Sequence, residues 1–121
     1  MTNVITLSRL LQILEEEKVR IEVMIAKNEI YLMDPIVTSS EELAGKIHAA
    51  VGKAKLLLAQ KFKQFAGLCH KNLTQSPDEP FPTTGQDLAG FWDMVTIQVE
   101  HIRTLFNEIQ RVKDNGWKEV C

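Results

Sequence analysis

The chain has 121 residues, 45% hydrophobic and 25% charged, with a formal net charge of −2. That size suits one domain, 1–121, able to bury a core without metal or disulfide support. The near-neutral charge offers no global field to nucleic acid or an anionic membrane, and no apolar run approaches the ~18 residues of a membrane span.

Leu7, Leu11, Leu14, Ile21, Ile25 and Leu32 recur at helical spacing and predict a first helix over about 6–33. Lys18 and Asn28 interrupt that face, and Glu15, Glu16, Glu17, Arg20, Glu22 and Lys27 cover the remainder. Asp34-Pro35 ends the element, because the residue before proline is pushed out of helical geometry.

Thr38, Ser39 and Ser40 then supply cap hydroxyls. Ser39 with Glu42, or Thr38 with Glu41, fits a capping box at the start of a second helix over about 40–73. Leu43, Ile47, Ala50, Ala54, Leu57, Phe65 and Leu68 form its main apolar face, widened by Val51, Leu58, Phe62 and Cys69. The opposite side is unusual. Gly45, Gly52, Ala59 and Ala66 repeat every seven residues, with Ala49, Leu56 and Gly67 beside them. A glycine inside an exposed helix costs ~1 kcal/mol relative to alanine. Two readings stand: another backbone packs closely here, from the domain or from a partner, or the glycines are merely tolerated.

TQSPDEPFPTTG, holding three of the four prolines, reads as a loop. Thr84 caps the third helix, over about 86–114, with Asp87 in its first turn. Leu88, Phe91, Trp92, Val95, Val99, Ile102, Phe106 and Ile109 line that helix, and Asn115-Gly116 stops it. Trp117 is expected to fold back on the core, with Phe65, Trp92 and Phe106 buried. No stretch alternates with period two, so no sheet is expected. The fold class is all-α, three long helices in an antiparallel three-helix bundle.

Chemistry-bearing residues are sparse. His48, His70, His101 and Cys69 lack the paired spacing of a zinc site. Cys69 lies beside the apolar face and reads as a small core hydrophobe. Cys69 and Cys121 stand too far apart to suggest a secreted disulfide framework, and the N-terminal MTNVITLSRLLQ lacks the regions of a signal peptide. The expected compartment is cytosolic or nuclear. Gly45-Lys46 and Gly52-Lys53 are not phosphate loops, since the spacing is wrong and no strand precedes them. Lys46, Lys53, Lys55, Lys61, Lys63 and Lys71 make the second helix locally basic. A solvated face is the plain reading, an acidic protein partner the next, and nucleic acid or lipid the last, for want of interleaved aromatics. No enzyme, cofactor or metal is expected. The expected partners are proteins, with no nucleic acid and no membrane insertion. The candidate interaction residues are Gly45, Ala49, Gly52, Lys53, Leu56, Ala59 and Lys63.

Two blocks carry a family resemblance: AKLLLAQKFKQFAGLCHKNL over 54–73, and QDLAGFWDMV over 86–95 with Gly116-Trp117 behind it. Together they resemble the C-terminal homology domain of the disks large-associated proteins, also called guanylate-kinase-associated or SAPAP proteins. The resemblance spans about 41–120 and reaches the first helix only by pattern. It implies a scaffold of the postsynaptic density, beneath the membrane, linking membrane-associated guanylate kinase scaffolds to Shank proteins. A mitotic branch, similar to the hepatoma up-regulated protein and the insect protein Mars, instead works on spindle microtubules. The repeats that bind the guanylate kinase domain, the ligand for the Shank PDZ domain and the basic microtubule-binding region are missing from this sequence. The chain is therefore expected to be one domain of a longer protein.

Overall fold

The computed structural model describes residues 4–118, so Cys121 lies outside the described residues. The described chain is all-helical, with no strand among these residues. In α1 (Val4–Tyr31), Leu7, Leu14, Ile21 and Asn28 are buried at seven-residue intervals, and Ile25 and Tyr31 complete the inner face. Lys18 is exposed. Asn28 is 4% exposed. Its Nδ2 donates to the Met24 carbonyl at 2.8 Å, while Oδ1 has no partner among the described residues.

The chain breaks at Asp34-Pro35, as the sequence predicts, and then makes one further turn, α2 (Pro35–Thr38). Asp34 is extended, and its carboxylate accepts the Ile36 N–H at 2.9 Å. Proline suits the first helical position because an N–H there has no intrahelical partner to lose. This turn displaces the next cap. Neither Ser39 nor Thr38 starts α3 (Glu41–Leu57). Ser40 does, its hydroxyl accepting the Leu43 N–H at 3.2 Å. Thr38 and Ser39 belong to the preceding turn and donate to the carbonyls of Pro35 and Ile36, at 3.1 and 3.0 Å.

The stretch expected as one α-helix over 40–73 is built as α3, a π turn (Leu58–Phe62) and α4 (Lys63–Thr74), with helical backbone angles at both junctions. With α2, that is more segments than the three expected. The buried positions give the cause. They run Ile47, Ala50, Ala54 and Leu57, then Phe62, Phe65 and Cys69. Phe62 follows Leu57 by five positions, one more than the four-residue step of an α-turn. Widening one turn keeps both apolar runs on the core.

The loop before the last helix is tied back onto α4. Asn72 Nδ2 and Gln75 Nε2 donate to the Thr83 carbonyl at 2.7 and 2.9 Å, and Thr83 N–H donates to Gln75 Oε1 at 2.7 Å. Thr84 then opens α5 (Gly85–Asp114) with a complete capping box. Its hydroxyl accepts the Asp87 N–H at 3.1 Å, and its own N–H donates to the Asp87 carboxylate at 2.9 Å. That bond from the Thr84 backbone, with the one to its side chain, holds the Asp87 carboxyl below its ordinary pKa.

At the far end Gly116 takes φ 69°. The Gly116 N–H donates to the Lys113 carbonyl at 3.0 Å and the Trp117 N–H to the Val112 carbonyl at 2.8 Å, the paired bonds of a Schellman cap. Trp117 folds back as expected, its ring edge-on to Tyr31 at 5.6 Å. Phe65 and Phe106 are buried as expected, but Trp92 is only half-buried. Leu88, Val95 and Val99 define the inner line of α5. Phe91 and Trp92 fall on either flank of it and hold Phe65 between them, at 6.0 and 5.2 Å.

Candidate interaction surface

The outer side of α3 is open. Gly45, Ala49, Gly52, Lys53, Leu56 and Ala59 are all exposed, as is Lys63 at the start of α4. Leu56 is 54% exposed, a large apolar side chain left in solvent. A Cβ added at Gly45, Gly52 or Gly67 would meet nothing within 4 Å. Close packing of another backbone from within the domain, one of the two readings of these glycines, is therefore not what the structure shows. The seven-residue series also ends early. Ala66 is half-buried and packs against the core, because the extra residue of the π turn re-aims all that follows by roughly 100°.

Between α3 and α5 runs a crease. Its first part, about 340 Å³, has Leu43, Ile47 and Ala50 on one wall and Leu105, Ile109 and Val112 on the other. Lys46, Lys53, Arg111 and Glu108 stand at its edge, and Trp117 closes one end. Lys53 is shared with a second depression of about 360 Å³, bounded by Leu56, Gln60 and Lys61 and, across the gap, by Gln98, His101 and Ile102. Of the candidate residues, the structure brings Ala49, Lys53 and Leu56 onto this crease. Gly45, Gly52, Ala59 and Lys63 lie on exposed helix outside it. The α5 half, with His101, Leu105 and Arg111, is absent from the candidate set. No local signal marks it, since these residues read as flanks of an amphipathic helix until α3 is laid beside them.

Charge is distributed unevenly around the crease. Lys55 pairs with Glu29 at 3.7 Å, and Arg103 bridges Glu17 and Glu100 at 3.1 and 2.7 Å. Lys71 donates to the Phe81 carbonyl at 3.4 Å. Lys53, Lys61 and Arg111 form no ion pair among the described residues.

Cys69 does not line either depression. Cys69 is fully buried in α4, and desolvation pushes its thiol up to about 11, so it stays protonated and inert at neutral pH. Among the described residues no three His, Cys, Asp or Glu side chains gather where they could hold a metal ion. No described helix is long and apolar enough to cross a membrane.

Comparison with known proteins adds to this picture. Residues 8–121 match the family model described as guanylate-kinase-associated protein (GKAP) protein. Disks large-associated protein 4 of Mus musculus is 49% identical over 81 residues, covering 67% of this chain and 8% of the relative. Disks large-associated protein 1 of Homo sapiens is 50% identical over 80 residues, covering 66% and 8%. Disks large-associated protein 2 of Homo sapiens is 51% identical over 79 residues, covering 65% and 7%. The matched segment is thus a small part of each relative's length. With the family model covering nearly the whole chain, this protein belongs to the guanylate-kinase-associated protein family.

Proposed function

We infer that the chain is a non-catalytic protein-interaction domain of a scaffold protein at the postsynaptic density. Its parent links membrane-associated guanylate kinase scaffolds to Shank proteins, and this domain contributes a binding surface on the outer side of α3. The relatives named above are all disks large-associated proteins, which supports the scaffold branch over the spindle one. The three long segments form an antiparallel bundle, α1 up, the α3–π–α4 run down, α5 up. Two observations support this arrangement. Glu17–Arg103 and Tyr31–Gln110 climb together along α1 and α5. Phe65 in α4 meets Phe91 and Trp92 near the start of α5, whereas Leu43 in α3 shares its groove with Val112 near the end.

The observation that carries the functional reading is the open glycine side. Gly45 and Gly52 weaken the helix by ~1 kcal/mol each relative to alanine, and no neighbour among the described residues requires them. A partner surface that approaches the helix backbone there supplies the reason. Substituting Gly52→Arg tests it, because a Cβ at this position meets no atom within 4 Å and the longer side chain starts in open space. In affinity capture from neuronal lysate, the wild-type domain is expected to retain scaffold partners that the Gly52→Arg domain loses, with circular dichroism unchanged. Equal recovery of those partners by both proteins rules this face out.

A further inference from the structure

We propose that the α3–α5 crease is a receptor groove for an acidic amphipathic helix of a partner protein. The inference deepens the functional reading above and rests on it through the shared residues Ala49, Lys53 and Leu56.

Three features of the crease determine the occupant. Its walls are apolar, from Leu43, Ile47 and Ala50 on α3 to Leu105, Ile109 and Val112 on α5. Among the described lining residues, Lys53, Lys61 and Arg111 stand at its edges beside Lys46, with Glu108 as the carboxylate. Lys53, Lys61 and Arg111 have no ion pair among the described residues. The chain has 16 acidic residues to 14 basic ones, so this positive edge runs against its overall balance. An apolar floor between cationic rims is complementary to a segment with an apolar stripe flanked by Asp and Glu.

The walls also set the backbone state of that segment. Both are helices whose backbone N–H and C=O groups are already bonded internally, so an extended peptide would leave its own polar backbone unpaired in an apolar slot. A helix satisfies its backbone itself and presents side chains at i, i+3/i+4 and i+7 to the floor. From Lys46 to Lys61 the crease follows α3 and the π turn for about 22 Å at ~1.5 Å per residue, room for roughly four turns. Nucleic acid fits less well. Among the described lining residues, the aromatic groups are Trp117 at one end and the His101 imidazole in the other depression, so no run of stacking platforms follows the groove.

The test uses a fluorescent synthetic helix of about 16 residues, Leu on one stripe and Glu on both flanks, titrated with the 121-residue chain in an anisotropy assay. Two controls accompany it, a scrambled peptide of identical composition and an oligothymidylate. The acidic helix is expected to bind, with affinity falling as salt rises. Reversing the rim with Lys61→Glu and Arg111→Glu together, outside the candidate residues of the functional reading, is expected to weaken binding by about tenfold or more. Gly52→Arg, off the crease, is expected to leave it unchanged. Equal binding by the scrambled peptide or the oligothymidylate overturns the proposal, as does an unchanged affinity after rim reversal in a domain that remains helical. The two readings fail separately. Lysate partners lost in Gly52→Arg but retained after rim reversal would sink the groove and leave the glycine face standing.

Discussion

Among the described residues, Asn28 is the one whose burial the surrounding chemistry does not fully answer. It occupies a seven-residue position of α1 otherwise held by Leu7, Leu14 and Ile21, and its Oδ1 is buried without a donor among the described residues. A buried acceptor left unpaired costs ~1–3 kcal/mol. Replacing it by an apolar residue of similar size removes that penalty, so Asn28→Leu is expected to stabilise the domain by about 1 kcal/mol. A urea titration decides the matter, and a lower midpoint would mean that the oxygen has a partner. A polar residue at a core position of packed helices can also fix register at the expense of stability, which is a reason for such a residue to persist. The neighbouring irregularity, Lys18, needs no such account, because its side chain is exposed.

The run from α3 through α4 shows how two apolar faces out of phase by one residue are reconciled. A regular α-helix through this stretch would carry Phe62, Phe65 and Cys69 off the core that Ile47, Ala50, Ala54 and Leu57 define. The π turn takes up the difference, and a local distortion costs less than leaving one run of apolar side chains in water. On the outer side of α3, the helix carries two glycines in open space. The double substitution Gly45→Ala/Gly52→Ala is accordingly expected to stabilise the domain by about 1–2 kcal/mol, read by chemical denaturation. No gain would mean that both positions already sit in an environment where a methyl group is unwelcome. A gain accompanied by loss of partner binding would mark the glycines as retained for contact rather than for folding.

Taken as a single body, the domain is tied together by few long-range aromatic contacts, and they do not contribute equally. Phe65 is fully buried between Phe91 and Trp92, so it joins α4 to α5 from the inside. Trp92 touches the same cluster from the rim. Phe65→Ala is expected to cost ~3–5 kcal/mol, the range for emptying a buried aromatic site, and Trp92→Ala distinctly less. Urea denaturation of the two variants tests the order, and a larger loss at Trp92 would contradict its half-buried placement. At the opposite end Tyr31 gathers Trp117, the Lys113 ammonium at 5.2 Å from its ring and a hydrogen bond to Gln110 at 3.1 Å. These contacts lock the ends of α1 and α5 together and place Trp117 at the mouth of the crease.

The sequence alone determined the all-helical class, the breaks at Asp34-Pro35 and Asn115-Gly116, and the Thr84 cap with Asp87 in its first turn. Each depends on hydrogen bonds and steric limits acting within about four residues. It also singled out the outer side of α3, since glycine at helical spacing is visible wherever it falls. What the sequence could not supply were a competition between neighbouring turns and features set by residues far apart in the chain. Ser40 displaced Ser39 as the cap because α2 claimed the preceding turn. The π turn and the half-burial of Trp92 follow from matching one helix's apolar face to its neighbours'. The crease exists only because Ala49 and Ile109, sixty positions apart, line one groove. Periodicity says which side of a helix is apolar, but the partner that side meets is chosen by packing, which no local pattern encodes.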